Sequence, residues 1–219
     1  MTEPQPLRVA VLVSGSGTNL QAIIDAARSD DLPVRIAAVL SDNPDAMGLD
    51  RAREYGIPAI AIDFHGCTDR ATYDRQLRRQ LADLNPDLVV LAGYMRILDD
   101  DTVNDFAGRM LNVHPSLLPA YPGLHTHRRV LEAGEDWHGT TVHFVIPELD
   151  AGPPVVQYRL KVHPEDTEQS LRERVQAGEY QIYPLAIGWI ADGRLVFADG
   201  GPQFDGKPLT QPQIIDADY

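Results

Sequence analysis

Short apolar runs that alternate with stretches of helical periodicity leave this chain few folds to choose from. Leu7 to Val13 is a valine-rich run ending at Ser14-Gly15-Ser16-Gly17-Thr18-Asn19. Leu20, Ile23, Ile24 and Ala27 recur at helical spacing, so a helix is expected from near Asn19, with that side chain as its cap. Val34 to Leu40 reads as a strand, Gly48 to Tyr55 as a short helix and Ala59 to Ile62 as a strand. Asp69 to Leu84 reads as a helix with Tyr73, Leu77, Leu81 and Leu84 on one face. Leu88 to Ala92 is apolar throughout, as in a strand buried on both faces of a parallel sheet. Met110 to His114 is another strand. Strands joined by helices run parallel, so the expected fold class is α/β, a doubly wound, mostly parallel, Rossmann-like sheet.

The second half changes character. Thr140 to Ile146 and Val155 to Val162 alternate polar and apolar residues, which predicts neighbouring strands antiparallel to part of the sheet. Asp166 and Gln169 can form a capping pair for a helix through Leu171 and Val175. Ile182, Leu185, Ile187 and Trp189 either continue that helix or begin another, with Pro184 early in the second piece. Leu195 to Phe197 reads as a last strand. Residues 200–219 are polar, with prolines and little periodicity, and read as a surface tail. No linker or repeat interrupts the chain, so a single domain is expected over residues 1–219, with a core over roughly 7–199.

Charge and cysteine usage narrow the function. Lys and Arg number 19 against 32 Asp and Glu, a net charge of −13. Such a surface repels nucleic-acid backbones and anionic membranes, but a local basic pocket for a small phosphate remains compatible with it. The single cysteine, Cys67, can form no internal disulfide, which fits a reducing, cytoplasmic setting. The first residues lack the long apolar run of a signal peptide, and no stretch approaches the roughly 18 apolar residues of a membrane span. The expected partners are small molecules, and the expected state is monomer or homodimer.

Three candidate sites fall at predicted strand ends, where open α/β sheets bind ligands: Ser14–Asn19, Gly93–Leu98 and Asn112–His114. In the run Leu111-Asn112-Val113-His114-Pro115, alternation puts Asn112 and His114 on one face. His114 can move protons near neutral pH, and Asn112 can donate to an oxygen that gains charge. That pair suits acyl transfer. The glycine loop allows close backbone approach at a helix start, where N–H groups bind phosphate. Leu20 replaces the third glycine of a dinucleotide fingerprint and no lysine completes a P-loop, so a simple phosphate, such as one on a sugar, is favoured over NAD or ATP. Asp150, in Glu148-Leu149-Asp150-Ala151-Gly152-Pro153, would favour a protonated His114 if the fold brought them together. His125 and His127 stand two apart, but no accompanying thiol or H-E-x-x-H helix supports a metal site.

The segments SGSGTNLQAI, LAGYMRIL, LNVHPSLLPAYPGLHTH, HGTTVHFV and ELDAGPPVVQ, in this order, resemble the phosphoribosylglycinamide formyltransferases, folate-dependent transformylases of purine biosynthesis. The resemblance runs from about Leu7 to Phe197. It implies an enzyme that moves a formyl group from 10-formyltetrahydrofolate, its co-substrate, to the amine of glycinamide ribonucleotide, with no metal. It implies catalytic roles for Asn112 as oxyanion stabiliser, His114 as acid–base group and Asp150 as proton relay and His114 partner. Nucleotide contacts would fall at Gly17, Thr18, Asn19, Gln176 and Glu179. Folate contacts would fall at Arg70, Met95, Arg96, Ile97, Leu98, Asn112, Ile146, Pro147, Glu148, Leu149 and Asp150, with Arg70 and Arg96 able to pair with a folate carboxylate. The chain departs from the family pattern at Pro147, where a polar residue is usual, and at Ala151, where a second glycine is common.

Three alternatives share parts of this pattern. Methionyl-tRNA formyltransferase usually adds a C-terminal β domain and a basic face, whereas this chain has a short tail and an acidic balance. Formyltetrahydrofolate deformylase usually adds an N-terminal regulatory domain, whereas about six residues precede the first strand here. A non-catalytic nucleotide-binding regulator would have no use for an Asn–His–Asp set. The formyl acceptor separates them: glycinamide ribonucleotide, methionyl-tRNA, water or none.

Overall fold

The computed structural model describes residues 5–29 and 32–217; residues 1–4, 30–31 and 218–219, the last two within the expected tail, lie outside the described residues. The chain is described as two compact units, residues 1–111 and 112–219.

In the first unit the elements are β1 (Leu7–Val13), α1 (Thr18–Arg28), β2 (Val34–Ser41), α2 (Met47–Glu54), β3 (Ala59–Ala61), α3 (Arg70–Leu84), β4 (Leu88–Leu91) and α4 (Asp100–Asp105). The strand order is β4-β1-β2-β3, and β1 pairs parallel with both β2 and β4. Val9 to Val13, Ala38 to Leu40 and Leu88 to Val90 are buried, which accounts for their continuous apolar runs. From β1 the chain proceeds outward to β2 and β3, then returns to the other side of β1 as β4. Strand order therefore reverses between β1 and β4, and the loops after these two strands flank the switch point where such sheets bind ligands. They are tied together: Ser14 N–H donates to the Gly93 carbonyl at 3.2 Å, and Met95 N–H donates to Ser14 Oγ at 2.8 Å.

Helix α1 begins at Thr18, one residue before the expected start, and its N-cap is Gly17 rather than Asn19. Gly17 adopts φ 68°, a left-handed conformation that a residue with a Cβ disfavours. Helix α4 went unanticipated because its six residues, Asp100 to Asp105, are half aspartate and give little apolar period.

Strand β5 (Met110–His114) contains the boundary between the units. The second unit continues with α5 (Thr126–Ala133), β6 (Trp137–Phe144), β7 (Pro154–Lys161), α6 (Glu168–Ala191), β8 (Leu195–Ala198), β9 (Gly201–Phe204), β10 (Lys207–Pro208) and β11 (Gln213–Asp216). Its main strands are ordered β11-β7-β6-β5, with β6 and β7 antiparallel as their alternation predicts and β11 parallel to β7. Strands β8, β9 and β10 form a separate antiparallel sheet. The α/β expectation of a mostly parallel sheet with an antiparallel C-terminal addition thus matches the structure.

Of the two readings open for the stretch after Val175, the structure takes continuation: helix α6 runs unbroken through Pro184, with Ile182, Tyr183, Ala186 and Ile187 all buried around it. Burying large side chains such as Ile182 and Ile187 is worth roughly 1.5–3 kcal/mol each, which together offsets the ~3 kcal/mol penalty of an interior proline. The helix cap is Thr167, in a capping box with Ser170, rather than an Asp166–Gln169 pair; Asp166 accepts from Ser170 Oγ and His163 N–H instead. Within the expected surface tail, β11 (Gln213–Asp216) adds to the sheet edge, where Arg159 holds Asp216 in a two-pronged ion pair at 2.7 and 3.1 Å.

Candidate active site

The three proposed catalytic side chains all belong to the second unit, and the fold brings them together. Strand β5 ends at His114, and Pro115 stops it. His114 is 6% exposed, and its Nε2 lies 3.0 Å from the Tyr121 carbonyl. A carbonyl only accepts, so Nε2 carries a hydrogen and Nδ1 is the nitrogen left for proton exchange. Asp150 Oδ2 stands 3.4 Å from that Nδ1 and accepts the Gly123 N–H at 2.8 Å. Asp150 reaches this position in a left-handed conformation, φ 52°.

A fourth residue, His143 on β6, completes the arrangement. Its Nδ1 donates to the Phe144 carbonyl at 2.9 Å, and its Nε2 lies 3.1 Å from Asn112 Nδ2. Burial pushes its pKa down, so the ring is neutral and Nε2 is an acceptor. Asn112 must therefore present its NH2 group: one hydrogen goes to His143 and the other remains for a ligand. The same Nε2 is 4.0 Å from Asp150 Oδ1. His143 falls within the alternating strand expected over Thr140 to Ile146, where the sequence assigns it no role. Its signal was a histidine on the buried face of β6, which does not by itself distinguish a core residue from an orienting one.

Buried polar residues hold the turn that follows His114. Thr140 Oγ1 donates to the His114 carbonyl at 2.9 Å, and Thr141 Oγ1 donates to the Ser116 carbonyl at 2.6 Å. Thr141 Oγ1 also accepts the Leu118 N–H, and Gln157 Nε2 donates to the Leu118 carbonyl at 2.8 Å. These bonds satisfy backbone groups that burial would otherwise strand, and they keep β5 and β6 in fixed register.

His127 and His138 form a second buried histidine pair, with His127 Nδ1 3.0 Å from His138 Nε2. One ring must donate and the other accept, so the bond needs at least one neutral ring. Burial pushes His127 down to about 4 and His138 to about 3. Unfolded histidine takes up its proton near pH 6.5. As pH falls below that value the unfolded state gains protons that the native state refuses, so stability is full above about pH 6.5 and is lost towards pH 4. His127 alone accounts for about 3 kcal/mol of this loss, from a shift of 6.5 to about 4. Urea midpoints measured from pH 7.5 to 4.5 should fall steeply for the wild type and less for His127→Gln. Identical pH slopes would reject the assignment. His125 is the N-cap of α5, in a left-handed conformation. Among the described residues no group of three or more His, Cys, Asp or Glu is placed to hold a metal ion.

In the first unit, the loop after β4 is held by two arginines. Arg96 Nε bonds the buried Asp42 at 2.8 Å, and its guanidinium lies 3.8 Å from the Phe64 ring centroid. Arg70 Nη2 donates to the Ile97 carbonyl at 2.8 Å, with its Nε 3.4 Å from Asp74. Both arginines thus shape residues 95–98. Met95 and Ile97 are exposed, at 69% and 55%, leaving apolar surface on that loop, while Leu98 is buried. The Gly15–Gly17 loop leads into α1, whose N-cap, Gly17, has no side chain to offer. In the second unit, Gln176 and Glu179 are three residues apart on α6 and so share a face, with Glu179 8% exposed. Pro147, Glu148 and Leu149 are exposed between the half-buried Ile146 and Asp150.

The sequence profile of a family described as formyl transferase matches residues 7–187. The chain belongs to the formyl transferase family. The phosphoribosylglycinamide formyltransferase of Escherichia coli (strain K12) is 48% identical over 212 residues, 97% of this chain and 100% of that protein. A solved phosphoribosylglycinamide formyltransferase from Coxiella burnetii matches with a TM-score of 0.91 and 45% identity, covering 96% of this chain and 99% of that one. A formyltetrahydrofolate deformylase from Pseudomonas syringae shares the fold at a TM-score of 0.84 and 25% identity, but the match covers 66% of its chain. These similarities bear out the resemblance carried by the motifs. For a formyl transferase, the Asn–His–Asp cluster on β5 and the loop after β6 is the natural place to seek chemistry at a formyl carbon.

Proposed function

We propose that this formyl transferase moves a formyl group from 10-formyltetrahydrofolate to the amine of glycinamide ribonucleotide, in purine biosynthesis. The observation that carries the reading is the cluster of Asn112, His114 and Asp150, with one Asn112 N–H and the His114 Nδ1 uncommitted to backbone. The substrate amine attacks the formyl carbon and creates a tetrahedral oxyanion. The spare Asn112 N–H and a protonated His114 Nδ1 donate to that oxygen. The attacking nitrogen must lose a proton and the departing folate nitrogen must gain one. Asp150, 3.4 Å from Nδ1, partners His114 and relays the proton. No side-chain nucleophile is required.

Binding is assigned to other residues. Gly17, Thr18 and Asn19 would take the nucleotide phosphate on N–H groups at the start of α1, where the helix dipole favours an anion. Gln176 and Glu179 would contact the rest of that nucleotide. Arg70, Met95, Arg96, Ile97, Leu98, Asn112 and Ile146 to Asp150 would contact the folate. Both arginines already have partners, and Arg70, with its side chain 57% exposed against 34% for Arg96, is the more accessible of the two to a folate carboxylate.

The test is an acceptor comparison with one formyl donor. Formyl product should appear with glycinamide ribonucleotide and neither with methionyl-tRNA nor by release to water. Equal release in water alone would support a deformylase. In the same assay Asn112→Ala should lower kcat by about 100-fold or more, as for loss of an oxyanion donor, with little change in KM. A rise in KM at unchanged kcat would count against the oxyanion role.

A further inference from the structure

We infer that Arg51, on α2, is a positioning residue for the phosphate loop; this rests on the reading above that the loop takes the nucleotide phosphate. A loop that binds an anion must turn its carbonyl oxygens away and present its N–H groups. Here three successive carbonyls are each engaged by a donor. The Gly15 carbonyl accepts from Gly48 N–H at 3.0 Å, the Ser16 carbonyl from Arg51 Nε at 2.7 Å, and the Gly17 carbonyl from Gln21 N–H at 2.9 Å. Two of those donors belong to α2, and only Arg51 uses a side chain.

Arg51 is itself held in place. Its Nη1 donates to Gln21 Oε1 at 3.1 Å, and Gln21 Nε2 is bonded to Asp25 and to the Tyr55 hydroxyl. Helix α2 can approach this closely because the contact is glycine on glycine: a Cβ on Gly17 would lie 2.6 Å from Gly48 Cα, and a Cβ on Gly48 would lie 2.9 Å from Val13 Cγ2. The guanidinium adds a cation beside a loop that must receive an anion, in a protein of net charge −13. Arg51 therefore acts on the phosphate through the loop and its charge, while the transferred group is handled elsewhere.

The test is calorimetric titration of wild type, Arg51→Met and Arg51→Lys, each with glycinamide ribonucleotide and separately with a folate analogue, alongside steady-state kinetics. Arg51→Met should weaken glycinamide ribonucleotide binding by about tenfold or more, raise its KM in parallel and leave kcat and folate-analogue binding within about twofold. Arg51→Lys, which keeps the charge but loses the two-pronged geometry, should fall between wild type and Arg51→Met. Unchanged ribonucleotide binding in Arg51→Met would overturn the inference, as would equal losses for both ligands. Wild-type protein that fails to bind glycinamide ribonucleotide would instead overturn the functional reading, and this assignment with it.

Discussion

His114→Ala should lower turnover by at least about 100-fold while the protein keeps its fold, as expected when a group that moves protons and stabilises charge is removed. The imidazole is held between two partners, the Tyr121 carbonyl on Nε2 and the Asp150 carboxylate near Nδ1. Truncation removes the donor that the oxyanion needs and leaves Asp150 without the ring it supports. KM should change little, because the lost interaction strengthens only as charge develops on the formyl oxygen. Asp150→Asn tests the same point from the other side. The oxygen that accepts the Gly123 N–H is the same Oδ2 that stands 3.4 Å from Nδ1, so asparagine can keep an acceptor there while the negative charge beside the ring is lost. Turnover should fall again, by a comparable factor, with substrate affinity retained. Stopped-assay kcat values for both variants, checked against their circular dichroism spectra, decide the matter. Near-wild-type turnover in His114→Ala would reject the catalytic assignment.

Gly152→Ala should both destabilise the protein and impair the site. A Cβ at this position would lie 1.8 Å from the Phe144 carbonyl oxygen, a backbone atom that no rotamer change can move aside. The hydrogen bond from Phe144 N–H to the Pro153 carbonyl closes this stretch between β6 and β7, so the overlap must push the two segments apart. Overpacking of this kind typically costs about 1–3 kcal/mol or more, which for a chain of this size lowers the melting temperature by roughly 5–10 °C. The consequence for catalysis follows from the same atom. The Phe144 carbonyl receives the His143 Nδ1 hydrogen, and that bond leaves Nε2 free to accept from Asn112. Displacing the carbonyl releases the Asn112 amide to rotate, so kcat should drop by at least about tenfold. Gly201→Ala is the control, since a Cβ there meets nothing within 4 Å and its φ is ordinary. A Gly152→Ala variant that melts and turns over like Gly201→Ala would refute the close-approach argument.

The pattern of short apolar runs and helical stripes was enough to identify β1 to β5, α1, α2, α3 and α6 to within a few residues, because each signal lies inside one window of chain. Shared facing of Asn112 and His114 on β5 follows from alternation alone, and the phosphate-loop candidate from glycines at a strand–helix junction. Weak local signals failed where tertiary burial decided. Periodicity left open whether Pro184 breaks α6, and buried neighbours outweigh it; the short Gln213–Asp216 segment becomes a strand because β7 offers an unpaired edge.

The contacts that define the site had no signature in the chain. Gly123 and Asp150 are 27 residues apart, Asn112 and His143 are 31, and Arg51 and Ser16 are 35. The sequence determined which chemical groups were available and on which kind of element each would stand. Only the tertiary structure decided which ring nitrogen of His114 is free, that His143 stays neutral and fixes the Asn112 amide, and that α2 turns the loop carbonyls away. Periodicity is a property of neighbours along the chain, whereas proton placement depends on groups that folding brings within hydrogen-bond distance from far along it.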